Sequence, residues 1–222
     1  MKKLLIATAL ASGFASTALA GAVEYVAPVE PVVIAAAPVI TDWSGPYAGV
    51  LAAMGTATQD YTYDGDGIRT WAGEDLEGNM YGAFAGYNIQ QNGGFVFGVE
   101  GAYSMGSIGR SYTPPLTAYE EGEELTSVID LKARAGIAAG DALIYGFAGW
   151  SMGDFRMYAE PSYDETISVD GMNYGVGVDL FVTDRVFVGA EYIMRDLSGV
   201  SGVDETVDLA VQAVQVRLGM NF

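Results

Sequence analysis

Residues 128–138 read VIDLKARAGIA. Ile129, Leu131, Ala133, Ala135 and Ile137 share one parity, and Val128, Asp130, Lys132, Arg134 and Gly136 share the other. An apolar face set against a small or charged face, at period two, marks a strand lying between two media. The charged face carries both signs in mid-strand. The pattern recurs downstream. In 172–182, Met172, Tyr174, Val176, Val178, Leu180 and Val182 oppose Asn173, Gly175, Gly177, Asp179 and Phe181. In 186–195, Val186, Val188, Ala190, Tyr192 and Met194 oppose Phe187, Gly189, Glu191, Ile193 and Arg195. The chain closes with Val214, Val216, Leu218, Met220 and Phe222 against Gln215, Arg217, Gly219 and Asn221. Each apolar face runs about ten residues, the length a tilted strand needs to cross hydrocarbon.

Working outward, eight such segments fall near 44–56, 78–90, 94–106, 126–139, 142–153, 167–182, 185–196 and 208–222. Gln91-Asn92-Gly93, Gly140-Asp141 and Thr183-Asp184 have tight-turn chemistry. The other connections, roughly 57–77, 107–125, 154–166 and 197–207, are longer. Counted over 57–77, 107–126, 153–166 and 196–208, 18 of the 28 acidic residues lie at one end. Short and long connections alternate strictly. The expected fold is all-β: an eight-stranded antiparallel, up-and-down transmembrane barrel with short periplasmic turns and four longer extracellular loops. A soluble lipocalin-like barrel shares the alternation, with its apolar face inward.

The composition removes other classes. No cysteine or histidine is present, so disulfides, thiolate sites, Ser-His-Asp catalysis and His-ligated zinc are excluded. Ten basic residues against 28 acidic ones, a net −18, argue against nucleic acid. Mean hydropathy is +0.24, high for so acidic a chain. No cofactor is expected.

Residues 1–20 read as a secretory signal: Lys2 and Lys3, an apolar stretch from Leu4 to Phe14, and the cleavage site Ala18-Leu19-Ala20. Its removal leaves 8 basic and 28 acidic residues, a net −20. Residues 21–42, with Pro28, Pro31 and Pro38, read as a Pro/Ala-rich periplasmic linker. After residue 21 the most apolar run, Val32 to Ile40, is short and contains Pro38, so a membrane-spanning chain has to be a barrel.

Asp42-Trp43-Ser44-Gly45-Pro46-Tyr47-Ala48-Gly49 resembles the W-x-G-x-Y-x-G opening of small Gram-negative outer-membrane β-barrel proteins, relatives of the OmpA transmembrane domain and of porin-family surface antigens. Ala85-Gly86-Tyr87-Asn88, Lys132-Ala133-Arg134-Ala135-Gly136 and Gly189-Ala190-Glu191-Tyr192 resemble later strands of that family. Pro46 stands where an aromatic is usual, tolerable at a strand's first residue. The resemblance covers 42–222 and implies a bacterial outer-membrane location without enzymatic activity. The implied partners are membrane lipid, lipopolysaccharide and, through Leu218, Met220 and Phe222, the barrel-assembly machinery.

Glu100, Asp130, Lys132, Arg134, Asp179, Glu191 and Arg217 are expected in the barrel lumen as a charge network, because buried charges need partners. Glu100 and Glu191 are expected to pair with Arg134, Lys132 or Arg217. Trp43, Tyr87, Phe95, Tyr103, Trp150, Phe181, Phe187 and Phe222 are candidates for aromatic girdles at the membrane interfaces. Asp60, Asp64, Asp66, Glu74, Asp75 and Glu77, with Glu120, Glu121, Glu123 and Glu124, form the acidic loops. Asp64-Gly65-Asp66-Gly67 lacks the remaining ligands of an EF-hand, so only weak divalent binding at these loops is expected. A structural surface protein contributing to envelope integrity leads, with a narrow gated pore as the alternative. Barrel hydrolases usually need a histidine base, and none exists here.

Overall fold

A computed structural model describes residues 41–63, 69–112, 120–159, 161, 163–201 and 205–222. The signal segment, most of the linker, Asp64 and Asp66 lie outside the described residues. Eight strands form: β1 (Gly45–Tyr63), β2 (Arg69–Gln90), β3 (Phe95–Tyr112), β4 (Glu121–Ala139), β5 (Ala142–Ala159), β6 (Tyr163–Phe181), β7 (Val186–Val200) and β8 (Glu205–Asn221). Neighbours pair antiparallel in chain order, and β8 pairs with β1, closing the sheet so that no lateral edge remains between first and last strands.

The three expected tight turns form, and Gly140 supplies the left-handed conformation one of them needs (φ +61°). The four longer connections are corrected. Most of 57–77, 107–125, 154–166 and 197–207 is strand, and the described strand ends leave only 64–68, 113–120, 160–162 and 201–204 between them. The carboxylates there look like loop composition, yet several occupy the outer face of a strand: Asp75 and Glu77 are exposed on either side of buried Leu76. Thr56, Thr58 and Asp60 face outward while Ala57 and Gln59 are buried.

The two-face pattern therefore inverts along each strand. In one zone the outside is apolar and the inside polar. On β6 and the residue just after it, the outward residues Met172 to Val182 are exposed apolar side chains, and at about 3.3 Å per residue and a tilt near 40° they span about 25 Å of membrane normal. Towards the end away from the short turns, termed distal here, the outside turns acidic: Asp60, Asp75, Glu77, Asp154, Asp170, Asp196 and Asp208 are all exposed. The inside there turns apolar. Leu76, Ile108, Leu125, Val128, Phe155, Val169, Leu197 and Val207 form a core, each at most 2% exposed. Water around the distal wall makes burying apolar side chains inside favourable, as in a soluble barrel.

Candidate functional site: the filled lumen

Glu100 and Lys132 are register partners on β3 and β4. Asp179, Gly189 and Arg217 occupy one row across β6, β7 and β8. A Cβ at Gly189 would collide with Asp179 Oδ1 and approach Arg217 Cγ, so glycine lets acid and guanidinium meet over β7. Gly177 similarly receives the Tyr145 ring, whose Cζ would lie 2.5 Å from an added Cβ.

The ion pairs span the lumen. Lys132 Nζ lies 2.8 Å from both Glu100 Oε1 and Glu191 Oε2. Arg134 reaches Glu100 Oε2 at 3.1 Å and Asp179 Oδ2 at 2.9 Å. Arg217 reaches Glu100 Oε2 at 2.5 Å and also pairs with Glu191. Tyr47 and Tyr145 hydroxyls donate to Glu100 (2.9 Å) and Glu191 (2.7 Å). Arg217 stacks on Phe84 at 3.9 Å, Arg134 on Tyr145 at 3.9 Å, and Lys132 over Phe147 at 4.7 Å. Three cations and three carboxylates cancel, and all eight strands contribute a side chain. Glu100 pairs with all three cations, and Glu191 with Lys132 and Arg217; Arg134 turns instead to Asp179.

A second cluster lies towards the distal end. Arg195 clasps Asp130 through Nε to Oδ1 (2.9 Å) and Nη2 to Oδ2 (2.7 Å). Ser151 donates to the same carboxylate at 2.6 Å and accepts from Asn173 Nδ2 at 2.8 Å. Arg195 stands four residues after Glu191 on the same face, yet was not among the expected lumen charges. That spacing was the available signal. Tyr47, Tyr145 and Phe84 were missed because aromatic residues carry no charge to demand a partner.

Such burial costs several kcal/mol per ion before pairing, so these clusters are weak evidence of net stability. Their chemical consequence is different: removing any one member strands a charge in a dry interior. The network ties side chains from all eight strands together across the lumen.

The chain's residues 6–222 match the family model described as the outer membrane protein beta-barrel domain. The chain belongs to that outer-membrane β-barrel family. Its residence is the outer membrane, and the exposed apolar zone faces lipid, which sets aside the lipocalin-like alternative. A relative named 31 kDa outer-membrane immunogenic protein, from Brucella melitensis, is 27% identical over 247 aligned positions, taking in 100% of this chain and 99% of the relative. A 22 kDa outer membrane protein of Rhizobium leguminosarum is 32% identical over 113 residues, 51% of this chain and 50% of its own. The crystal structure of Neisserial surface protein A shares the fold, with TM-score 0.52, 19% identity, and coverage of 81% of this chain and 98% of that one.

In this outer-membrane barrel, Tyr87, Phe95, Tyr103, Trp150 and Phe222 are exposed on the outside. Trp150 Nε1 donates to Asp170 Oδ2 at 3.1 Å, joining the apolar zone to the acidic one. Trp43, Phe181 and Phe187 are corrections: all three are buried inside. Phe181 and Phe187 have the parity of Asp179 and Gly189, and parity overrides their position near strand ends. Trp43 precedes β1, where Gln90 Oε1 accepts its backbone N–H at 2.8 Å. Its ring then stacks on Phe181 at 4.1 Å and stoppers the short-turn mouth. Thr41 N–H donates to Gly140 O at 3.2 Å, so the segment before β1 crosses that mouth to the β4–β5 turn. Leu218 and Met220 are exposed outward, and Phe222 N–H donates to Pro46 O at 3.0 Å, tying the last residue to β1.

Proposed function

We propose that the protein is a structural surface component of the outer membrane that supports envelope integrity and presents acidic wall to the exterior, without enzymatic activity. The carrying observation is the filled interior. From the short-turn mouth inward come an aromatic stopper, two neutral ion-pair clusters and an apolar core. Among the described residues Leu76, Leu125, Phe155 and Asp179 have no accessible surface, so side chains fill the lumen at these levels. The exposed carboxylates bordering the apolar outer zone support contact with lipopolysaccharide phosphates through weakly held divalent cations. Leu218, Met220 and Phe222 would present the assembly signal.

One observation favours the gated-pore alternative. Lys132, Arg134 and Arg217 each touch two or more carboxylates, so a cation could exchange partners without becoming stranded. The apolar distal core opposes it, since an ion crossing there loses hydration without gaining a partner. The test is deletion of the gene with complementation, read as uptake of a hydrophobic dye, alongside planar-bilayer recordings of the purified barrel. Raised dye uptake on deletion, restored by the wild-type chain, with no conductance steps, supports the structural role. Unchanged uptake together with reproducible steps would replace it with the pore.

A further inference from the structure

The distal mouth holds a cavity of about 350 Å³ that the structural role does not use. Its lining includes Tyr61, Arg110, Tyr112, Glu121, Glu123 and Tyr163, with Met157 among the core residues beneath. Tyr61 shares the inward parity of Gln59, Tyr112 that of Ile108, Glu121 that of Leu125, and Tyr163 that of Ile167. These side chains therefore belong to the interior side of the wall, above the apolar core.

Two features need explaining. Tyr112 is 50% and Tyr163 45% exposed, yet both lie beyond the acidic zone, where lipid does not reach. Membrane insertion accounts for the exposed aromatics elsewhere but not for these. Glu123, in turn, is held in place by two donors, Gln59 Nε2 at 2.7 Å and Tyr61 Oη at 2.5 Å. Gln59 is itself fully buried, and its Oε1 has no hydrogen-bond partner. An ionised carboxylate offers about four acceptor positions, so these two bonds orient Glu123 and leave it able to accept more.

We propose that this cup binds a neutral saccharide. Tyrosine faces pack against the C–H faces of a sugar ring, carboxylates accept from paired hydroxyls, and a guanidinium donates to ring or hydroxyl oxygens. A concave site with aromatic walls and a few oriented polar groups is the usual form of a small-ligand site, and this volume sits at the small end of the usual ~300–1,000 Å³ range. It suits one or two rings rather than a chain. The chemistry disfavours the other classes. Glu121 and Glu123, with a net −18 on the chain, repel anions. Arg110 in the lining opposes a polycation. The inference goes beyond the envelope role and does not depend on it, because it is tested on purified protein.

The test uses the full mature barrel in nanodiscs, avoiding sugar-headed detergents, with maltose, cellobiose and lactose as probes followed by ligand-observed NMR. Expected is saturable binding of at least one disaccharide, weakened at least tenfold by Tyr163→Ala and by Glu123→Gln. Both variants should keep the heat-dependent gel shift of an intact barrel. Spermidine and glucose 6-phosphate should not compete. Absence of saturable binding by all three probes, equal binding by the two variants, or displacement by spermidine would overturn the proposal.

Discussion

Replacing Arg195 by methionine isolates the energetics of the second lumen cluster. Arg195 and Asp130 have side chains only 2% and 1% exposed. The substitution removes two charge-assisted hydrogen bonds, at 2.9 and 2.7 Å, and leaves Asp130 with the Ser151 hydroxyl. Hydrogen bonds to charged groups contribute about 1.5–3 kcal/mol each, so the loss is about 3–6 kcal/mol. Breaking a buried pair from one side costs about 3–5 kcal/mol in general, and the two estimates agree. The companion double variant Arg195→Met/Asp130→Leu removes both charges and should recover most of that loss, since apolar replacement of a whole buried pair is often neutral or stabilising. The assay is urea unfolding of barrels refolded into lipid vesicles, followed by tryptophan fluorescence and by gel mobility, with free energies from linear extrapolation. A single variant within about 1 kcal/mol of wild type, or a double variant no more stable than the single, would refute the claim that the pair is dry and mutually dependent.

Trp43→Ala should cost about 3–5 kcal/mol, as for large buried aromatics, measured by the same unfolding assay in a background where Trp71 and Trp150 remain as reporters. Outside the membrane-spanning zone, hydrogen bonds from Arg156, at 2.9 Å through both Nε and Nη2, hold the Asp164 carboxyl below the usual carboxylate range. A depressed folded value means the pair's contribution is present above about pH 4 and fades as pH falls through that value. Carbon-detected NMR titration should show Asp164 titrating low in wild type and returning to the ordinary range in Arg156→Gln. Phe222→Ser should slow insertion catalysed by the assembly machinery in reconstituted vesicles, and wild-type rates in that variant would remove the C-terminal residue from the assembly signal.

Much of the membrane zone could be read from particular residues. VIDLKARAGIA placed Asp130, Lys132 and Arg134 on one face, and the structure puts all three in the lumen. Gly140-Asp141 marked its turn because only a few residue types suit that backbone. The distal wall was misread for a definite reason. Period two reports that a strand has two faces, but polar and acidic residues on the outer face, as at Thr56, Thr58 and Asp60 or at Asp75 and Glu77, resemble loop composition once that face is no longer apolar. The same limit misplaced Trp43, Phe181 and Phe187, where closeness to a strand end was given more weight than parity.

Alternation, turn chemistry and the exclusion of histidine or cysteine sites are local properties, and the sequence by itself determined them: eight strands, all but one of the charges in the two lumen clusters, and their up-and-down order. Which charges meet was decided only by tertiary structure. Lys132 reaches Glu191 from β4 to β7, and Arg195 reaches Asp130 from β7 to β4, because closure and register bring non-adjacent strands face to face across a narrow lumen. The inversion of inside and outside along each strand likewise depends on where the surrounding lipid ends, a boundary set by the assembled barrel rather than by any one segment.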